Sequence, residues 1–141
     1  MTTLEEHRRK IKEHLSEIND AIEEGIEEKP ITIGFHCSAC ALELLEIYLH
    51  KLGKLPINKI IKHDWFKKPQ TEQKKGPLID RILPLEFENK DKIYSLIYEI
   101  EEERNSLLYG KPKNEQIKRV IERFLQLKDF IKEKLKDEDI E

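Results

Sequence analysis

Arg104 and Asn105, followed after a gap by Tyr109 and Gly110, are the residues of this chain whose types and spacing suit phosphate chemistry. A guanidinium fork matches phosphate oxygens in pairs and stays charged at any working pH. The bland alternative is an exposed Arg beside a Tyr that caps a helical core. On an undistorted helix, residues five apart point about 140° apart, so convergence of Arg104 and Tyr109 requires a distorted last turn or a second subunit. A second candidate is Lys62-His63-Asp64-Trp65-Phe66-Lys67-Lys68. Here Lys62, Lys67 and Lys68 would attract phosphates, and Trp65 would stack a base of single-stranded RNA. His63 could move protons near neutral pH. Alternatively, Trp65 and Phe66 anchor the segment to a core and the lysines are merely solvated.

Two further constellations carry less chemistry. Cys37-x-x-Cys40 has no second Cys pair and no strand before it, so it reads as two small buried thiols rather than a zinc or redox site. His36, Glu43 and His50 recur at steps of seven, with Glu46 beside them. A bundle metal site needs Glu-x-x-His motifs on facing helices. The step from Glu46 to His50 is one residue too long, and no other helix offers a partner, so neither a metal nor a cofactor is expected. His36 and His50 are expected at the bundle's edge or facing its groove. His7 and His14 share a face of the first helix and read as solvent-exposed. Gly-rich phosphate loops, nucleophile elbows and His-Glu-x-x-His motifs are missing from the sequence.

These residues must be positioned by helices. Leu4, Ile11, Leu15, Ile18, Ile22 and Ile26 recur at helical steps after an initial gap of seven, which predicts a helix over about Thr3–Glu28. Thr3 and Glu6 fit a capping box, and Pro30 marks a break. A second helix, about Ile31–Leu52, is apolar almost all round and therefore central, with small residues at 37–41 that admit a close neighbour. A third covers about Asn89–Tyr109 and is ended by Gly110 and Pro112. A fourth covers about Asn114–Lys136, with Asn114 as N-cap. Short connections after the first and third helices predict antiparallel neighbours. The expected fold is an all-α, up-and-down four-helix bundle in a single domain over 1–141. Residues 54–88, with Pro56, Pro69, Gly76, Pro77 and Pro84, form a long connection expected to hold short helices around Asn58–Phe66 and Leu78–Leu83.

Charge is placed unevenly. Residues 51–81 carry nine basic and three acidic side chains, a net +6, whereas residues 1–28 carry nine acidic and four basic ones, a net −5. The overall charge of −3 therefore hides a dipolar molecule, which bears on partners rather than fold. At 141 residues, 39% charged and 38% hydrophobic, the chain is too apolar and too periodic for disorder, and two Cys exclude a disulfide scaffold. Glu43, Glu46 and His50 interrupt its longest apolar stretch, and no apolar core follows the first basic residues. Neither a membrane span nor a secretory signal is expected, and a cytoplasmic location is the default. Heavy Lys, Glu and Ile usage gives a thermophile-like composition.

Phe35-His36, Ala39, Ala41, Leu44, Leu45, Tyr48 and Leu49, followed by Arg104-Asn105 and Tyr109, together resemble the HEPN domain family (higher eukaryote and prokaryote nucleotide-binding). In that family an aromatic-His pair opens the second helix and an Arg is followed, after four to six residues, by a His. Here Tyr109 fills the His position, Ser38 and Ala39 stand where Gln-Gln is usual, and the acidic residue is shifted to Glu43. The resemblance implies a HEPN-like bundle, homodimeric and without cofactor, that binds RNA or a nucleotide. It also implies a toxin–antitoxin or defence system with a nucleotidyltransferase partner. Arg104, Asn105 and Tyr109 would form the site, with Lys62, His63, Trp65, Lys67 and Lys68 as its nucleic-acid-binding wall. A free Tyr titrates near pH 10, so the site is expected to be catalytically degenerate. Two other readings stay open: an active metal-independent endoribonuclease using Tyr109 or His63, and a protein-interaction module without a nucleic-acid role.

Overall fold

A computed structural model of the protein describes residues 4–55, 59–67 and 78–136. Among the described residues every element is helical and there is no strand. The elements are α1 (Leu4–Glu24), α2 (Pro30–Lys51), α3 (Leu78–Ile82), α4 (Lys90–Tyr109) and α5 (Asn114–Leu135), with 3₁₀ turns at Ile26–Glu28 and His63–Phe66.

The apolar stripe of α1 buries Ile11, Leu15, Ile18 and Ala21. His7 fills the gap between Leu4 and Ile11 and is fully buried, which corrects the expectation that it faces solvent. Ile22, expected in the stripe, is instead exposed. Gly25 adopts a φ of 114°, which only glycine takes readily, and this ends the helix before the expected Glu28. The capping box at Thr3 lies outside the described residues.

Pro30 marks the break from its far side, as the first residue of α2, where its missing N–H is no loss. The near-continuous apolar girth of α2 has a use: α2 packs against α1, α4 and α5, and α4 packs against α5. By length and composition α2 could cross a membrane, yet 67% of its most apolar stretch is buried inside the bundle. A close approach lies at Gly34, one turn before the small residues at 37–41. A Cβ there would stand 2.8 Å from Leu107 Cβ and 2.7 Å from Leu108 Cδ1, so glycine sets the spacing of α2 and α4. Cys37 and Cys40 are buried free thiols, and burial pushes both thiol pKa values up.

Asn89 precedes α4 in the left-handed region, at φ 67°. At α5, Lys113 rather than Asn114 occupies the cap, and its backbone N–H donates to Gln116 Oε1 at 2.8 Å. The long connection holds the two short elements expected of it, a 3₁₀ turn and α3, although residues 56–58 and 68–77 lie outside the described residues. Two anchors fix 59–67 on the bundle. Ile61 is buried and its N–H donates to Glu46 Oε1 at 2.8 Å. Phe66, 1% exposed, meets the rings of Tyr94 and Tyr98 edge-on at 5.2 and 5.4 Å.

Candidate functional site

With both ends of 59–67 anchored, the side chains between them stand over the line where α2 meets α4. A two-lobed cleft results. One lobe, of about 330 Å³, is lined by Phe35, Ser38, Ala39, Leu42, Glu43 and Glu46 of α2, by Ile60–Asp64, and by Arg104. The other, of about 500 Å³, is lined by His63, Asp64, Lys67, Glu101, Arg104, Asn105 and Tyr109. His63, Asp64 and Arg104 border both lobes and mark the waist.

Arg104 is half-buried on the last turns of α4, and its Nε is buried with no hydrogen-bond partner. Glu101 lies one turn earlier on the same face. Its carboxylate accepts a hydrogen bond from Ser38 Oγ of α2 and places Oε2 3.4 Å from His63 Nδ1. Burial raises the Glu101 pKa, and the Ser38 hydrogen bond, His63 and Arg104 only partly offset this. The carboxylate thus sits behind His63, with its side chain 6% exposed, while the imidazole is more open to the cleft. Asp64 Oδ1 is 3.5 Å from the same His63 nitrogen and 3.5 Å from Lys67 Nζ.

Arg104, Asn105 and Tyr109 therefore border one lobe within a single chain, with α4 unbroken to Tyr109. Tyr109 reaches it from the rim, 78% exposed. Lys62, His63 and Lys67 of the basic segment also border the cleft. Trp65 does not: its ring packs against the core and it lines neither lobe, as the anchoring alternative has it. Lys68 lies outside the described residues. His36 of α2 and His14 of α1 bring their Nδ1 atoms to 2.8 Å, away from the cleft's lining.

Glu101 and Ser38 were not singled out by the sequence reading. The available signal for Glu101 was its place three residues before Arg104, blurred by the neighbouring Glu102 and Glu103. For Ser38 the signal was its small size and its place where Gln-Gln is usual in the family the chain resembles. A second polar cluster corrects the expectation that no other helix offers Glu43 and Glu46 a partner. His7 Nδ1 lies 2.5 Å from Glu43 Oε2 and 3.7 Å from Glu46 Oε2, between α1 and α2. Glu46 is buried, and desolvation pushes its pKa up to about 6. The chain matched nothing in comparisons with protein-family models, curated proteins and solved structures.

Proposed function

We propose that the cleft binds the phosphate of RNA or of a nucleotide, with Arg104 as the phosphate ligand of a HEPN-like, up-and-down bundle. One observation carries this reading: Arg104 lines the cleft with a buried Nε–H that has no acceptor. A buried donor without a partner costs about 1–3 kcal/mol, and a phosphate oxygen supplies the missing acceptor in charge-assisted form. Asn105 and Lys67 border the same lobe and add donors for a second phosphate oxygen or a sugar. A pure protein-interaction module gives no reason to leave that donor unused.

The His63–Glu101 pair favours a second reading, metal-independent RNA cleavage at the same place. Glu101 would hold Nδ1–H and leave Nε2 free to take the proton of a ribose 2′-hydroxyl. The 2′-oxygen would bond to phosphorus as the bond to the 5′-oxygen breaks, and Tyr109 would donate a proton to the leaving oxygen. Arg104 would offset the charge that builds on the phosphate.

The test is titration of labelled single-stranded and structured RNA in EDTA, followed on a gel, with wild type beside Arg104→Ala and His63→Gln. Binding by wild type that falls at least tenfold in Arg104→Ala supports the site. Unchanged affinity in Arg104→Ala at low salt removes it. Strand cleavage by wild type that stops in His63→Gln establishes the second reading; intact RNA leaves a binding site only.

A further inference from the structure

The His7 cluster lies behind the smaller lobe, against the face of α2 that carries Glu43, Glu46 and His50. One nitrogen of His7 and one carboxylate oxygen each of Glu43 and Glu46 all lie within 4.8 Å of one another. The three side chains come from two helices, and His7 is fully buried. Two carboxylates beside one imidazole bring negative charge into a mostly buried place. Lys10 keeps Nζ 3.9 Å from Glu43 Oε1 and is 41% exposed.

His50 supplies an independent observation. Its Nδ1 lies 2.8 Å from the Leu55 carbonyl oxygen. A carbonyl only accepts, so Nδ1 carries the proton and Nε2 presents a lone pair. That Nε2 is buried with no partner, and so is Nε2 of His7; the two ring centres are 5.0 Å apart. When neutral His7 donates Nδ1–H to Glu43, both Nε2 atoms are acceptors, so closer approach of the two rings would bring neither a partner. A cation on Nδ1 reverses this. The His7 proton then resides on Nε2, and a small tilt of the two rings, whose centres are 5.0 Å apart, would bring it to the lone pair of His50 Nε2. Metal-ligating histidines characteristically hand their other N–H to an outer acceptor, a part that a neutral imidazole nitrogen can also fill.

We propose that His7, Glu43 and Glu46 bind a first-row divalent transition-metal ion, with His50 as the outer acceptor that sets the His7 tautomer. One imidazole and two carboxylates suit zinc, manganese, iron(II) or cobalt(II). They do not suit magnesium or calcium, which take oxygen ligands, or copper(I), which takes sulfur. The ion displaces the proton between His7 Nδ1 and Glu43. The two atoms then open from 2.5 Å to roughly 3–3.4 Å, the separation of ligands at octahedral to tetrahedral angles with bonds near 2.1 Å. Glu43 and Glu46 also line the cleft, which gives the ion a route in and an open coordination position facing it. This proposal does not depend on the RNA reading.

The experiment uses the full chain, stripped with EDTA and dialysed. It is titrated with zinc chloride and cobalt chloride, with magnesium chloride as the contrast, and followed by calorimetry, cobalt absorption and thermal melting. One equivalent of zinc or cobalt is expected to bind and raise the melting temperature, with no response to magnesium at equal concentration. Glu43→Gln and Glu46→Gln should each weaken binding by well over tenfold, and His50→Gln by about tenfold. A double His14→Gln, His36→Gln variant, which removes the other histidine pair, should bind as wild type does. Absence of zinc or cobalt uptake by the folded wild type overturns the proposal. So does uptake that survives Glu43→Gln and Glu46→Gln or vanishes with the His14–His36 pair. His7→Gln removes a buried side chain and is expected to cost stability. If it does not fold, imidazole nitrogen NMR of the wild type decides: a zinc-induced shift at His7 Nδ1 supports the site, and an unmoved signal refutes it.

Discussion

His63 Nδ1 stands 3.4 Å from Glu101 Oε2, so a loop imidazole and an α4 carboxylate form one unit beside Arg104. The unit exists because Ile61 and Phe66 pin the loop on both sides of His63, and because Ser38 holds Glu101 from α2. Four consequences are testable without knowing the ligand in advance, or with generic RNA.

The first concerns Phe66. Its ring is buried against Tyr94 and Tyr98, and truncation to Ala removes the anchor that keeps 59–67 on α4. A buried Phe→Ala change costs about 3–5 kcal/mol when the site cannot collapse. Here the segment can detach by itself, as sub-global openings do. Hydrogen exchange should therefore accelerate at the Ile61 amide far more than at core amides of α5 such as Phe124. Equal acceleration at both would show that the loop is not a separate unit.

Gly34→Ala tests the spacing of α2 and α4. The added methyl meets Leu107 Cβ at 2.8 Å, an atom that moves only with its backbone. Overpacking of this kind costs about 1–3 kcal/mol, to be read from urea denaturation midpoints. A neutral or stabilising result would mean that the helices slide apart at little cost.

The basic wall predicts a salt signature. Lys62 and Lys67 are exposed at the cleft, so replacing either with Gln should weaken single-stranded RNA binding without regard to sequence. Each lost phosphate contact lowers the slope of log K against log salt by roughly 0.7. Anisotropy titrations between low and moderate salt give the slope, and an unchanged value places RNA elsewhere.

Glu101 gives a pH signature with a definite sign. Its pKa is raised in the folded state, chiefly by burial, so the fold favours the protonated form. Stability from this group is greatest at acid pH, declines as pH rises from the unfolded value near 4.5 through the raised folded value, and is flat above it. Glu101→Gln cannot ionise. Its melting temperature relative to wild type should therefore be more favourable at pH 7 than at pH 4. A constant difference across that range would show that Ser38, His63 and Arg104 fully offset the burial.

Local periodicity made much of the scaffold legible. The stripes of α1, α4 and α5 follow from residues three and four apart, and the all-round apolar character of α2 identified the helix that others surround. Arg104, Asn105, Tyr109, Lys62, His63 and Lys67 stand out from their neighbours by residue type, and the structure brings all six to one cleft. The ends of elements were less legible. Gly25 and Pro30 both punctuate, yet one ends a helix and the other begins the next. His7 is legible in principle, since it fills the one gap in the α1 stripe, but its polarity argues for solvent where its register argues for the core. Sequence by itself determined which face each helix turns inward, because that depends on contacts a turn apart in the same segment. Only the tertiary structure decided which polar groups meet there: His7 with Glu43 and Glu46, and Ser38 with Glu101 and His63. Those meetings depend on how far one helix is rotated and slid along another and on where a loop is pinned. These are non-local quantities, set by the packing of the whole core, and no single segment encodes them.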